Sequence, residues 1–104
     1  MANERHSFFV DSPTDPTIEL DPHAGGVYIR FKNAAVAKTI EQQSERMFIA
    51  VDLDGEGEVV GIEAVGATNC SLNSLLDYAK VEAPNTDLRN APLVFGDELA
   101  AQIA

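Results

Sequence analysis

Met47 to Val65 reads MFIAVDLDGEGEVVGIEAV: two apolar, β-branched runs joined by an acidic turn punctuated with glycine. Side chains alternate along an extended chain, so Met47, Ile49, Val51 and Leu53 share one side and Phe48, Ala50 and Asp52 the other. The return run puts Val60, Ile62 and Ala64 on one face and Val59, Gly61, Glu63 and Val65 on the opposite one. Between the runs, Asp54-Gly55-Glu56-Gly57 supplies glycines that can take the positive φ of a tight turn. The stretch therefore reads as a β-hairpin. Both faces hold apolar residues, whereas a hairpin solvated on one side alternates cleanly. The pattern thus predicts a second layer over the pair, either a helix or another subunit.

The same letters admit a competing reading as a calcium loop. From Asp52 to Glu63, oxygen ligands fall at the first, third and fifth positions, glycine at the sixth, an apolar residue at the eighth and glutamate at the twelfth, close to an EF-hand loop. Such a loop needs a helix on each side. Phe48-Ile49-Ala50-Val51 is poor helix material, and Ala64 to Asn69 has a glycine and no apolar period of three to four. EF-hands also come in pairs, and no second copy is present in the 104 residues. The hairpin reading prevails, with an acidic solvated turn, and calcium binding at residues 52–63 is kept as the alternative.

Outward from the hairpin, the chain divides into an N-terminal arm (1–16), a β-rich core with a covering helix (17–83) and a C-terminal extension (84–104). In the arm, Phe8-Phe9-Val10 precedes Asp11-Ser12-Pro13-Thr14-Asp15-Pro16, whose prolines enforce extended or turn geometry. Thr17 to Leu20 alternates like a strand and ends at the turn signal Asp21-Pro22-His23-Ala24-Gly25-Gly26. Val27, Ile29 and Phe31 then share one face, with Tyr28, Arg30 and Lys32 on the other. Val36 to Glu41 is a weaker strand, since alanine is β-poor. After the hairpin, Asn69-Cys70-Ser71 offers N-caps, and Leu72, Leu75, Leu76 and Ala79 follow one helical face. Lys80 suits the last turn and Pro84 marks an exit. Leu93-Val94-Phe95 is a short apolar anchor, and Asp97 could cap a final helix through Leu99 and Ile103. The expected class is α+β, mainly antiparallel β: a four- to five-stranded meander packed by one or two C-terminal helices.

Ile18-Glu19-Leu20-Asp21-Pro22, Val27-Tyr28-Ile29-Arg30-Phe31, Val36-Ala37-Lys38-Thr39, and above all Val51-Asp52-Leu53-Asp54 with Val59-Val60-Gly61-Ile62-Glu63, carry a family resemblance. Over Thr17 to Leu76 the chain is similar to a bacterial family catalogued as a domain of unknown function, number two-two-eight-three in its series. Tyr28-Ile29-Arg30 and Gly61-Ile62-Glu63 are its more specific motifs. The chain departs from the pattern at His23 and Gly25, where relatives often have acids. The resemblance implies a compact β-rich fold without an established activity. It also implies, through relatives encoded beside small toxin-like proteins, an antitoxin or partner-binding role.

Charge bounds the partners. Seventeen acids against seven bases give a net charge of −10. Nucleic-acid affinity comes mainly from cations that replace counterions on phosphate, so direct DNA or RNA binding is disfavoured. Between Arg46 and Lys80 no basic residue occurs, while Arg30, Lys32, Lys38 and Arg46 cluster upstream. A partner would be a second copy, giving a homodimer, or a basic protein. No apolar run approaches a membrane span and MANERHSFF lacks a signal-peptide layout, so a cytoplasmic protein is expected, with no membrane association. One cysteine, Cys70, excludes an internal disulfide and a cysteine-rich zinc site.

Chemistry is thinly represented. Cys70 near a helix start, with His6 or His23 as base, lacks a local signature and reads as a small buried thiol. Gly61 inside a strand marks a bulge or a close backbone approach. Glu63, among apolar residues, reads as the partner of Arg30 or Lys38 in a structural ion pair. Phosphate-cradling glycine motifs, metalloprotease helices and catalytic-serine elbows are absent, so no catalytic, cofactor-binding or metal residue is assigned and no cofactor is expected. The leading expectation is a protein-interaction module, ahead of the calcium binder and of a small enzyme.

Overall fold

The computed structural model describes residues 7–10, 16–21, 23, 25–42, 44–45, 47–66, 71–84, 86, 88 and 93–95. Its elements are β1 (Phe8–Phe9), β2 (Thr17–Asp21), β3 (Gly26–Arg30), β4 (Lys38–Gln42), β5 (Phe48–Leu53), β6 (Val59–Val65), α1 (Leu72–Ala79), β7 (Val81–Glu82) and β8 (Leu93–Phe95). The class is α+β, and β4-β5-β6-β3-β2 form the expected antiparallel sheet. Two departures from chain order give it its shape. β3 lies beside β6 rather than β4, and β8 adds a sixth strand parallel to β2. The β2–β3 and β4–β5–β6 units are thus each built from chain neighbours and are joined by the β3–β6 ladder.

Register explains why the sheet is stable. Ile18 pairs with Ile29, Ile29 with Ile62, Ile62 with Val51, and Val51 with Ile40. One β-branched side chain from each antiparallel strand therefore lies in a single transverse row, the arrangement such side chains pack best. Ile18, Ile29 and Val51 are fully buried. Against this face packs α1, which buries Leu75 and Ala79 and seats Leu72 and Leu76 at the margin of the core. The stripe expected from sequence is the stripe observed.

Helix ends show local chemistry at work. The Ser71 hydroxyl accepts the Ser74 N–H at 3.1 Å, so Ser71 is the N-cap. At the other end Lys80 adopts a left-handed conformation (φ 61°), and its N–H reaches the Asp77 and Leu76 carbonyls. Lys80 closes the helix through its backbone, where the sequence placed it in the last turn. The chain then passes directly into β7, which pairs in parallel with β1. The Gln42 side chain, buried at the end of β4, donates to the Ala79 carbonyl at 2.7 Å and so satisfies a helix-terminal acceptor. The sequence reading runs this strand from Val36 to Glu41, whereas the ladder to β5 runs from Lys38 to Gln42, the last residue being added by its pairing with Ile49.

The hairpin differs from simple alternation at one place. Asp52 pairs with Gly61 but Leu53 with Val59, so Val60 is an extra residue in β6, a β-bulge. The bulge brings Val59 to the core side, opposite Leu53, although strict alternation places it with Gly61. The Val60 carbonyl is taken up by the N–H groups of Phe31, at 2.8 Å, and Lys32, at 3.3 Å. The suggested final helix from Asp97 lies outside the described residues. If the Gln42 bond holds α1 to the sheet edge, Gln42→Ala leaves the Ala79 carbonyl unpaired and lowers unfolding stability by about 1–3 kcal/mol, read from urea denaturation.

Candidate interaction face

The face of the sheet away from α1 is ordered by the same register. One transverse row is Glu41, Ala50, Glu63, Tyr28 and Glu19, and the next is Thr39, Asp52, Gly61, Arg30 and Thr17. A further row begins with Phe48 and Val65. The sequence predicts a second layer over the hairpin, either a helix or another subunit. Among the described residues the single helix covers one side, and the other presents this mixed polar and aromatic surface.

Tyr28 is its centre. From β3 its ring crosses β6, and its hydroxyl donates to Asp52 Oδ2 on β5 at 2.8 Å. Gly61 makes the crossing possible: a Cβ there would stand 2.5 Å from the ring. The close approach and the bulge beside it are the two meanings a glycine within a strand can have. Thr39 on β4 donates to the other Asp52 oxygen at 2.7 Å. Above the ring lies the Arg30 guanidinium, 4.9 Å from the centroid, which is cation–π distance. Arg30 in turn donates to Glu19 on β2, Nε to Oε2, at 2.7 Å. Side chains and the Gly61 backbone thus tie five strands together on this face.

These contacts settle the charge states. Burial first, and the bond to Asp52 second, push the Tyr28 phenol well above its ordinary value, so it stays a hydrogen-bond donor. The Glu19 carboxylate beside Arg30 raises the guanidinium further. The ion pair expected between Glu63 and Arg30 or Lys38 is therefore replaced: Arg30 pairs with Glu19, and Glu63 is exposed, across from Tyr28 and Ala50. The reason is register, which sets Tyr28 rather than Arg30 opposite Glu63.

At the hairpin tip, Asp54 Oδ1 accepts the N–H groups of Glu56 and Glu58 at 2.9 and 3.0 Å. Gly57 takes φ +82°, as a turn glycine should. Lys32 bridges Asp54 and Glu58, the latter at 2.8 Å. Its ammonium holds the Asp54 carboxyl down to about 2, and the two acids, Asp54 foremost, raise Lys32 in return. Asp54, Glu56 and Glu58 bring one oxygen each within 4.8 Å of one another, a possible cation cluster. An EF-hand it is not: strands flank the turn, Asp52 is bonded to Tyr28 and Thr39, and Glu63 lies well along β6.

His23 is exposed in the β2–β3 turn, its N–H donating to Asp21 Oδ1 at 3.2 Å. Cys70 and His6 lie outside the described residues. Sequence reading missed the Tyr28–Asp52 and Lys32–Asp54 contacts; Gly61 within a strand was the one signal that something crosses there. No family model, curated protein or solved structure matches the chain.

Two outcomes follow. Gly61→Ala forces the Tyr28 ring aside and lowers stability by about 1–3 kcal/mol. In a Tyr28→Ala background the same change is neutral, or stabilising by up to about 1 kcal/mol, because alanine is the better strand residue. A double-mutant cycle in urea measures the coupling. Acid also loosens the tip. A carboxyl depressed from 3.8 to about 2 stabilises the fold above the ordinary value, and that contribution is lost as pH falls through this window. Urea midpoints across the window should fall more steeply for the native chain than for Lys32→Met.

Proposed function

We propose that the chain is a protein-interaction module that docks its partner on the sheet face away from α1. The observation supporting this is Phe48, an aromatic side chain 42% exposed at the start of β5, one residue before the ladder to β4 begins and opposite Val65 of β6. An exposed aromatic ring beside the half-buried Val65 offers apolar area that gains from burial against a partner. An enzyme is the weaker reading, because the polar groups best placed for chemistry are engaged with one another: Tyr28 with Asp52, Arg30 with Glu19, Thr39 with Asp52.

The reading accords with the resemblance to the bacterial domain-of-unknown-function family and its toxin-adjacent relatives, and with an acidic protein of the bacterial cytoplasm. No helix among the described residues is long and apolar enough to cross a membrane. The partner is a second copy of the chain or a different protein. A divalent cation at the tip is the second reading, favoured by the Asp54, Glu56 and Glu58 oxygens. Lys32 already neutralises part of that cluster, which weighs against it.

A photo-crosslinking residue at Phe48, in the full chain expressed in its native cells, tests the proposal against the same residue at Asp77 on the exposed side of α1. A discrete adduct from Phe48 that is weak or missing from Asp77 is the expected result, and its mass distinguishes a second copy from another protein. Equal labelling from both positions, or none from Phe48, removes the reading.

A further inference from the structure

We infer that the partner meets this face with a cationic, extended segment, so that lysine or arginine side chains reach Phe48, Glu41 and Glu63. The inference rests on the interaction-module reading and adds the chemistry of the occupant. Glu41 and Glu63 stand on either side of Ala50 in one row, while Phe48 precedes Ala50 by two residues on the same strand and the same face. An exposed ring thus has a carboxylate on each diagonal. Neighbouring strands lie about 4.8 Å apart, so the two glutamates are separated by roughly 10 Å. That is too far for one to neutralise the other's partner, and near enough for one bound segment to meet both.

Among the described residues, Arg30 and Lys32 are committed elsewhere. Arg30 is bonded to Glu19 and stacked on Tyr28, and Lys32 holds Asp54 and Glu58. Lys38 is on β4 but faces the other way, opposite Leu53. Glu41 and Glu63 are both exposed, and neither joins an ion pair among the described residues. The ring and the carboxylates favour the same ligand. An aromatic face attracts a lysine or arginine head while its stem covers the ring, and charge complementarity fixes the register of docking.

The arrangement also decides between the two candidate partners. A second copy docked through the same face would bring an identical acidic surface, from a chain whose net charge is −10. Like charges facing each other across an interface disfavour that occupant. A basic protein brings the opposite sign to Glu41 and Glu63.

The test is an NMR titration of the full, isotope-labelled chain with a short capped oligolysine peptide, against an oligoglutamate of equal length. Expected are shifts concentrated at Glu41, Phe48, Ala50 and Glu63 with oligolysine alone, weakening as salt rises. Glu41→Gln with Glu63→Gln should weaken the affinity by about ten-fold, and Phe48→Leu, which keeps an apolar side chain, by a few-fold. Glu56→Gln, at the tip, should leave it unchanged. Shifts spread evenly over the acidic tip and the face, or a loss of equal size in Glu56→Gln, overturn the inference as non-specific charge attraction. No shift at all overturns it outright. A discrete Phe48 crosslink without oligolysine binding leaves the interaction module standing and refutes only the cationic occupant.

Discussion

The row Ile40, Val51, Ile62, Ile29 and Ile18 is the constraint on which the rest of the structure depends. Side chains in a sheet alternate with a period of two, so fixing one row in the core fixes the parity of the other residues in those strands as far as the bulge at Val60. Once these β-branched side chains pack under α1, Tyr28, Asp52, Gly61, Glu19 and Thr39 must emerge together on the reverse side. The polar network is thus a consequence of how the core is written. It is also a second tie between the same five strands, made by hydrogen bonds instead of apolar contact.

The two faces do different work because their chemistry differs. The core face gains from area removed from water and is indifferent to small angular changes. The reverse face depends on direction: a phenol over a glycine, a carboxylate with two donors, a guanidinium between a ring and an acid. Such groups are satisfied internally, which rigidifies the centre of the surface. The exposed Phe48, Glu41 and Glu63 lie outside this network.

Much of the fold was legible because it is local. The alternation of Phe48 to Leu53, the turn residues Asp54 to Gly57 and the stripe Leu72, Leu75, Leu76, Ala79 each announce their element through short-range periodicity. Tertiary choices were not. Nothing in the letters places β3 beside β6, and the extra residue Val60 looks like one more valine in an apolar run, so the side on which Val59 falls could not be read. Glu63 was misassigned for the same reason, since a salt-bridge partner depends on register across strands about thirty residues apart. Tyr28, Arg30, Gly61 and Glu63 meet in space, though their spacing in the chain discloses no contact.

The separation between β3 and β6 bears on how the polypeptide reaches its final form. The turns closing β2–β3 and β4–β5–β6 enclose only short loops, whereas the ladder uniting them closes a much longer one and must recover that entropy from packing. The β2–β3 hairpin alone is marginal in water, and the three-stranded unit alone leaves one greasy side bare. Assembly is therefore governed by an encounter between distant parts of the chain, the regime in which β-rich proteins fold slowly and expose sticky edges while they do so.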